Sequence, residues 1–593
     1  MRMRAGFARW VGSALAPALL ALAVLLLQPA GAHAQRRSQP LVAADGTVDW
    51  NRYYSAAETN QILSALGRRY PALTRVYSIG KSYEGADLMV VEVTNEETGP
   101  ASDKPALYLD GGIHAGELTG SAVALYVLNH LLRNYGRDTA ITRLLDTRAF
   151  YIRPKFNPDG SDLALLQDQR LRSTVHPWDE DGDGTADEDP PDDLDKDGWI
   201  TQMRIRDPRG DMKPSPLDAR ALVAREPGDS TGPFYFVSTE GIDNDDDGRF
   251  NEDGIGGIDM NRNVPGNWAP EYLQPGAGPF PLSEPETYAT VKFIDEHPNI
   301  ASIVHGHTSG GFVYRLPSAS DPSKFDRTDL GVIEDLGQVY TATTGRPVRP
   351  SATHPTDHRY GTLIEWAYQD KGIIGWVPEY VPPQSWVTDY DDNGRVSEEE
   401  QLRFDDEELG GRYFSPWRPF PHPQLGEVEI GGWHRKFWGQ NTPPEYLEAE
   451  CRAQVPWILY LAGTGPRLVL GTPRVRAVDA QHVRIEADVR NEGWLPTWLT
   501  ERGFTGRETR TGIEDQIVRP PTALLELTGG TVQGPPRIVV GHLGGASPHS
   551  KKITETSRTI EWTVRVTGRE LRFLVVAEGG PAGTARSTEV VYR

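Results

Sequence analysis

The chain has 593 residues, of which 38% are hydrophobic and 24% are charged, so it can form several packed domains and is not disordered by composition. Its formal net charge of −22 makes nucleic acid and anionic membranes unfavourable partners. The one cysteine, Cys451, excludes an internal disulfide framework, a cysteine zinc finger and an iron–sulfur cluster. We expect this thiol to lie in the core near a late helix.

Residues 1–34 have the pattern of a secretory signal. Three arginines precede an apolar run over residues 11–27, and Ala32-His33-Ala34 supplies a small-x-small cleavage pattern before Gln35. The alternative is an uncleaved membrane anchor, because the run is almost long enough to span a bilayer. No later stretch is apolar enough to do so. The sequence therefore predicts a secreted or periplasmic protein without stable membrane insertion after cleavage.

Strand and helix patterns alternate over about 400 residues, which predicts an α/β sheet of mixed strand order. The segments, in chain order, are extended chain over Tyr70–Val93, a strand over Ala106–Gly112, a helix over Glu117–Asn134, a strand ending in a turn over Ala149–Gly160, a helix from Ser283 to His297 capped at its start, a strand over Ser302–His307, a helix over Thr362–Tyr368, a strand over Gly375–Tyr380 and a closing helix over Pro444–Leu461. Residues 463–593 contain alternating strands between Gly turns, which predicts an all-β sandwich domain.

The negative charge is concentrated in an acidic insertion over residues 173–256 and in residues 389–400. These segments repeat D-x-D-x-[DN]-G, the front half of a calcium loop, in which oxygen ligands at alternating positions converge on one cation. The predicted calcium ligands are Asp389, Asp391, Asn393 and Glu400, then Asp193, Asp195 and Asp197, then Asp243, Asp245 and Asp247. The alternative is a set of solvated acidic loops without metal.

Five short motifs carry the chemistry. His114 and Glu117 form H-x-x-E between a predicted strand and helix, which is a weak signal alone. It is followed by N-P-D-G at 157–160, by Asn261-Arg262, by His307-Thr308, and by W-A-Y at 366–368 with Glu379 beyond it.

This order of motifs resembles the zinc carboxypeptidases of the carboxypeptidase A type, the M14 metallopeptidases, over residues 53–461. The resemblance implies an eight-stranded mixed sheet flanked by helices, in a domain over residues 35–462. It implies one catalytic Zn²⁺ held by His114, Glu117 and His307, with an open coordination position. Glu379 is implied as the general base and Arg172 as the group that stabilises the oxyanion.

The resemblance also implies that Asn261 and Arg262 hold the terminal carboxylate of the substrate. Ile364 is implied in the pocket for the last side chain, which favours an apolar residue there. Tyr360 is the nearest match to a tyrosine on a flexible loop, although its spacing from W-A-Y is short.

Several positions have rivals in the sequence. His305 competes with His307 as a metal ligand, Glu365 competes with Glu379 as the base, and Arg170 competes with Arg172. We expect His305 to be a packed or supporting histidine. Arg153 and Lys155 are interpreted as sheet-edge charges.

The predicted function is therefore an exported zinc metallocarboxypeptidase that acts on peptide or protein C-termini. One alternative is a peptidase of cell-wall (murein) peptides. Another is a catalytically inactive calcium-dependent binding protein.

Overall fold

The computed structural model describes residues 40–180, 182–230, 232–318, 323, 325–352, 358–381, 383–505 and 516–593. The predicted signal segment, residues 1–34, lies outside the described residues. The chain divides into a short unit that ends at Val48 and a large unit over Asp49–Arg593. In the short unit, Val42 and Val48 form an antiparallel bridge. Within the described residues, no helix has both the length and the apolar character that a bilayer span requires.

The large unit contains a mixed eight-stranded central sheet, which confirms the predicted α/β class. Its strands are β1 (Thr74–Lys81), β2 (Asp87–Val93), β3 (Ala106–Gly111), β4 (Ala149–Arg153), β5 (Ile300–Thr308), β6 (Phe312–Arg315), β7 (Val348–Pro350) and β8 (Ile374–Tyr380). They are arranged in the order β1-β2-β4-β3-β5-β8-β6-β7. Strands β4, β3, β5 and β8 are parallel to one another, and the pairs β1–β2, β2–β4 and β6–β8 are antiparallel. Strands β3, β4 and β5 are fully buried, as their apolar runs predict.

Ten α-helices accompany the sheets in the described residues. They are α1 (Ala56–Arg69), α2 (Leu118–Asn134), α3 (Thr139–Thr147), α4 (Pro158–Gln167), α5 (Pro285–Glu296), α6 (Arg327–Thr344), α7 (Leu363–Lys371), α8 (Glu398–Phe404), α9 (Pro444–Thr464) and α10 (Glu501–Thr505). Helix α9 packs against α2 and α6, and it buries Cys451 completely, as expected.

Two local expectations were wrong. The N-P-D-G segment does not end in a simple turn, because Asn157 accepts a hydrogen bond from the Gly160 N–H and begins helix α4 with Pro158 in its first turn. Ser283 does not cap α5, since its hydroxyl donates to the Glu284 carboxylate at 2.9 Å instead.

The acidic insertion is folded around a second sheet that the sequence did not reveal. Its six strands, in sheet order, are Phe414–His422, Gly426–Trp433, Gln202–Arg206, Tyr235–Thr239, Met212–Pro214 and Leu222–Ala224. Met203, Val428 and Ile430 form its small core. Segments more than 200 residues apart therefore pair, and such long-range pairing leaves no local signal in the sequence.

The C-terminal region consists mainly of β-strands in its described residues, as predicted, with the short helix α10 and a 3-10 turn over Gly580–Ala582. Two five-stranded sheets use the strands Leu468–Leu470, Arg474–Ala477, His482–Asn491, Gly530–Val532 and Ser557–Val566, and the strands Thr522–Thr528, Arg537–Val539, Leu571–Glu578, Thr584–Arg586 and Val590–Tyr592. Alternate residues of His482–Asn491 point into a core that also contains Trp562 and Phe573. The predicted domain boundary near residue 463 stays a prediction.

Candidate active site

Three predicted metal ligands come together at one edge of the central sheet. Strand β3 leads to His114, and Glu117 directly precedes helix α2. His307 lies near the end of β5, which pairs in parallel with β3. Because the carboxyl ends of parallel strands meet at the same edge of a sheet, these separate segments converge there.

The three side chains are buried and aim their ligand atoms at one point. Nδ1 of His114 lies 2.8 Å from Oε1 of Glu117, and Nδ1 of His307 lies 2.9 Å from Oε2 of the same carboxylate. The two Nδ1 atoms are 3.1 Å apart. Two imidazole nitrogens and a carboxylate that face each other fit a cation of the zinc type, which takes these donors and keeps one position open.

Neighbouring groups fix the orientation of the ligands. Oδ1 of Asp259 lies 3.2 Å from Nε2 of His114, on the side of the ring away from the ligand cluster. The backbone N–H of Thr308 donates to Oε2 of Glu117 at 3.1 Å. Such outer partners set the tautomer and direction of a metal ligand. Asp259 precedes Asn261-Arg262 by two residues, and the sequence motifs did not identify its role.

A cavity of about 230 Å³ opens on the ligand cluster. It is lined by His114, Glu117, Arg172, Asn261, Arg262, His307, Thr308, Ser309, Phe312, Tyr314, Ser318, Ser351, Arg359, Thr362, Ile364, Val377 and Glu379. Of the predicted residues around the zinc site, only Tyr360 is absent from this lining.

Glu379 is placed beside the ligands by the sheet register. It lies on β8 opposite His307 on β5, so both side chains emerge at the same edge. Burial, and then the nearby Glu117 carboxylate, raise the pKa of Glu379 to about 8. A carboxylate with a raised pKa in a cavity is suited to accept a proton.

Two arginines supply positive charge to the same cavity. Arg172 is held by Asp259, with its Nε 2.9 Å from Oδ2, and its side chain remains 53% exposed, so it can reach a ligand. Arg262 donates from Nη1 to the Asn261 carbonyl at 2.7 Å, and burial lowers its pKa. Asn261 is held in turn by the Leu363 N–H, which donates to its Oδ1 at 3.1 Å.

The predicted specificity residues differ in their placement. Ile364 is buried on α7 and forms an apolar wall of the cavity with Phe312 and Val377. Tyr360 is half-buried, and its ring lies 5.1 Å from the His358 ring rather than in the cavity lining. Its proposed contact with substrate therefore stays a prediction without support from this arrangement.

The rival residues have structural partners outside the ligand cluster. His305 is fully buried, with Nδ1 2.5 Å from Oδ1 of Asp110. Glu365 is fully buried and accepts hydrogen bonds from the N–H and hydroxyl of Ser318. Arg170 donates to the Thr239 hydroxyl at 2.8 Å and does not line the cavity.

The interpretation of Arg153 and Lys155 as sheet-edge charges was wrong. Arg153 is fully buried, and its Nη2 donates to the Phe156 carbonyl at 2.8 Å. Lys155 is also buried, and burial lowers its pKa to about 8. Buried cations on a strand end look the same as exposed ones in the sequence, because burial depends on how other parts of the chain pack over them.

The acidic loops bring carboxylates close together, as their spacing predicts. The groups are Asp389, Asp391 and Glu400, then Asp193, Asp195 and Asp197, then Asp243, Asp245 and Asp247, and in each group the oxygens lie within 4.8 Å of one another. Asn393 lies beside the first group, since its Nδ2 donates to Oδ2 of Asp391 at 2.8 Å and its Oδ1 accepts the Arg395 N–H at 2.8 Å. Calcium at these loops stays a prediction, since exposed acidic groups are common without an ion.

A mononuclear metal site with a carboxylate base and arginines beside it is the arrangement of a hydrolytic metalloenzyme. A family model described as zinc carboxypeptidase, of the M14 peptidases, matches residues 59–192 and 234–402. These residues make up just over half of the chain, and the chain belongs to this family. Residues 467–589 match a second model, described as a domain of unknown function.

Individual relatives cover the chain only in part. Carboxypeptidase B of the crayfish Astacus astacus is 32% identical over 127 residues, which are 21% of this chain and 40% of that protein. Carboxypeptidase A1 of the pig, Sus scrofa, is 22% identical over 374 residues, 60% of this chain and 67% of that protein. The chain thus spans less than half of the first relative.

Among solved structures, thrombin activatable fibrinolysis inhibitor has 17% identity and a TM-score of 0.44, covering 72% of this chain and 76% of that one. A likeness of this size adds nothing to the family assignment.

Proposed function

We propose that this protein is an exported zinc metallocarboxypeptidase that hydrolyses the C-terminal bond of peptides. The supporting observation is one cavity that contains the His114–Glu117–His307 cluster, Glu379 with its raised pKa, and Arg172 and Arg262. Family membership implies a catalytic zinc ion, and this donor set fits one. Export rests on the pattern of residues 1–34.

The chemistry divides among residues in the cavity. A zinc ion held by His114, Glu117 and His307 supplies a Lewis acid that polarises a carbonyl and acidifies water. Glu379 takes a proton from the attacking water as the oxygen of that water bonds to the scissile carbonyl carbon. The same carboxyl group then gives this proton to the leaving nitrogen as the C–N bond breaks. Arg172 stabilises the negative charge on the former carbonyl oxygen.

Arg262 gives the site its preference for a chain end. Its guanidinium is largely removed from water, and this burial lowers its pKa. A buried positive charge is costly, and the carboxylate of a bound substrate would compensate it. Asn261 adds an amide donor beside it. Phe312, Ile364 and Val377 form apolar walls for the side chain of the residue that is released, which favours an apolar C-terminal residue.

The test combines metal content with substrate choice. Protein purified after export is assayed for bound zinc and for cleavage of a peptide that ends in Phe and of the same peptide amidated at its C-terminus. About one zinc per chain, with cleavage of the free acid alone, supports the proposal. Glu379→Gln should retain zinc and lose activity by about 10²–10⁴-fold, the contribution of a general base.

Two other results would favour the alternatives. Bound zinc without cleavage of either peptide, but with cleavage of murein peptides, would favour a cell-wall peptidase. Absence of zinc binding would contradict the metal site and favour a binding protein.

We also propose structural Ca²⁺ at the acidic loops, supported by the convergence of Asp389, Asp391 and Glu400. Close carboxylates repel one another, and a cation relieves this repulsion. Added Ca²⁺ should therefore raise Tm, and Asp391→Asn should reduce the increase. An equal Tm with calcium and with a chelator would contradict this proposal.

A further inference from the structure

A second cavity, of about 370 Å³, adjoins the active site. We call it the side cavity. It is lined by Gly116, Ala164, Asp168, Gln169, Arg170, Leu171, Arg172, Ile200, Arg435, Lys436, Gly439 and Gln440. Arg172 also lines the active-site cavity, so the two spaces meet at its side chain. Gly116 directly precedes the ligand Glu117, which places the wall of the side cavity next to the ligand cluster.

Among the residues that the structure describes, four cationic side chains and one carboxylate line the side cavity. That carboxylate, Asp168, is buried and lies 2.8 Å from the Lys436 ammonium, so these two charges neutralise each other. Arg172 is paired with Asp259 outside the side cavity. The uncompensated charges are therefore those of Arg170 and Arg435.

These two arginines are near each other and form no ion pair, and the Asp168 carboxylate attracts Arg170 more weakly than Arg435 repels it. The Arg170 side chain has one hydrogen bond, to the neutral Thr239 hydroxyl, and the Arg435 side chain has no hydrogen bond with any residue that the structure describes. Burial, and then the charge of Arg435, lower the pKa of Arg170 to about 10. Burial alone lowers the pKa of Arg435. Two like charges in one cavity repel each other until an anion joins them.

This excess of positive charge is local and contrasts with the rest of the chain. The protein has 83 acidic and 61 basic residues, so a surface cavity would on average contain more acids than bases. The side cavity attracts an anionic group of a substrate, whereas the acidic surface elsewhere repels it. An arginine binds a carboxylate through two parallel N–H donors, which orient the carboxylate as well as attract it.

The position of the side cavity indicates which part of a peptide reaches it. Arg262 holds the chain end in the active-site cavity, and the scissile carbonyl lies between the ligand cluster and Arg172. Because Arg172 lines both cavities, the residues before the scissile bond can continue past Arg172 into the side cavity. An extended chain advances about 3.3 Å per residue, so the two residues before the bond pass the side cavity.

We propose that the side cavity is a subsite for an acidic side chain in one of the two residues that precede the scissile bond, bound by Arg170 and Arg435. This proposal rests on the proposed function, because it uses the peptide direction set by Arg262. With this subsite the enzyme prefers peptides that have an acidic residue shortly before the scissile bond, a preference that the metal-ligand cluster alone would not produce.

The experiment uses the full-length zinc-loaded protein and N-acetylated hexapeptides that end in Phe. The second or third residue from the C-terminus is Glu, Gln or Lys. We expect kcat/KM for the Glu peptide to exceed that for the Gln peptide about tenfold at one of these positions, and the Lys peptide to be poorest. Arg435→Gln and Arg170→Gln should each reduce the preference, and the double variant should bring it within about twofold. The preference should also fall as salt rises, because the cavity is open to solvent.

Cleavage of the Gln peptide is the internal control, since neither arginine takes part in the chemistry. Arg565→Gln, which removes an exposed charge from the C-terminal sheet, should keep the preference. Equal cleavage of the Glu and Gln peptides, or a preference that survives in the double variant, would overturn the subsite and leave the carboxypeptidase intact.

Binding separates the two proposals if no peptide is cleaved. Zinc-loaded Glu379→Gln is titrated with the Glu and Gln peptides, and the dissociation constants are compared. About tenfold tighter binding of the Glu peptide, lost on addition of Arg435→Gln, supports the subsite independently of turnover. Equal binding overturns it, whereas failure of cleavage alone counts against the proposed function.

Discussion

The carboxylate of Asp259 joins the candidate metal ligand His114 to Arg172. Its Oδ1 lies 3.2 Å from Nε2 of His114, and its Oδ2 accepts a hydrogen bond from Nε of Arg172 at 2.9 Å. When Nδ1 of His114 binds a metal, Nε2 carries the proton of the ring, and this N–H donates a hydrogen bond to Asp259. One side chain thus orients the candidate ligand His114 and also holds Arg172, the group proposed to stabilise the oxyanion.

We predict that Asp259→Asn weakens zinc binding about 10–100-fold, the usual cost of losing an outer partner of a ligand. The amide cannot match the charge-assisted contacts to the imidazole and the guanidinium. Competition with a chromophoric chelator gives the zinc affinity, and kcat/KM at saturating zinc gives the separate effect on Arg172.

Asp110→Asn is the matched control for this prediction. Asp110 is also a buried aspartate on a buried histidine, His305, but His305 is outside the ligand cluster. We expect this variant to lower Tm and to keep the zinc affinity of the wild type. Equal loss of zinc in both variants would mean that Asp259 acts only through general stability.

The pH dependence of activity should report the ionisation of Glu379. Its pKa is raised, and a general base works only when deprotonated, so kcat/KM should fall as pH decreases through this pKa. Zinc neutralises the Glu117 charge that raises the pKa, so the loaded enzyme should lose activity at a pH below about 8. Stopped assays from pH 5 to 9 measure the midpoint.

Glu365→Gln tests whether the fall in kcat/KM at low pH comes from protonation of Glu379. Glu365 is the rival glutamate in the sequence, but it is buried against Ser318 rather than in the cavity. We expect this variant to be less stable and to keep the midpoint of the pH profile. A shifted midpoint in Glu365→Gln would reassign the base.

The sequence was sufficient for the parts of the site that are encoded by local motifs at strand ends. His114 and Glu117 follow a buried strand within six residues, and Glu379 lies at a fixed spacing from W-A-Y. Apolar runs and Gly turns also sufficed for the mixed central sheet and the all-β C-terminal region. In each case the signal lies within a single segment of about 15 residues.

The remainder depends on contacts between distant segments, and these have no local pattern. Asp259 acts on residues about 90 and 145 positions away, so its role was invisible in the sequence. Arg359 lines the active-site cavity but belongs to no motif. The acidic insertion looked like loops, because its strands are short and the strand Gln202–Arg206 pairs with Gly426–Trp433 far along the chain.

Stability should also depend on the protonation of the buried Glu286. This side chain is 1% exposed; its Oε1 accepts the Tyr83 N–H at 2.9 Å, while Oε2 has no partner. Burial raises its pKa from 4.5 to about 7. A raised carboxyl pKa stabilises the fold below the unfolded pKa, near 4.5, and this contribution is lost as pH rises through about 7.

Glu286→Gln should therefore raise Tm at pH 8 by on the order of a degree or two and leave it nearly unchanged at pH 5. The amide keeps an acceptor for the Tyr83 N–H and cannot ionise. Glu296→Gln, at the exposed end of the same helix, should shift Tm equally at both pH values. If Glu286→Gln behaves in the same way as this control, the buried carboxyl is not the source of the pH dependence.

Asp329 connects the C-terminal region to the helix that forms part of the active-site wall. Its carboxylate accepts the Glu501 N–H at 2.7 Å, the Arg502 N–H at 3.3 Å and the Tyr368 hydroxyl at 2.7 Å. Tyr368 lies one turn after Ile364 on α7. The same helix is thus held by the C-terminal region and lines the substrate cavity.

Asp329→Ala should lower the free energy of unfolding by about 2–4 kcal/mol, because it leaves three donors unpaired at a buried position. Asp335→Ala, on the same helix α6, removes a partly exposed contact with His549 and should cost less than about 1 kcal/mol. Because α7 carries Ile364, Asp329→Ala should also reduce kcat/KM for a peptide ending in Phe several-fold, mainly through KM. Urea titrations and assays well below the transition measure both effects. Loss of stability without a change in KM would show that the C-terminal region supports the fold and leaves the substrate pocket untouched.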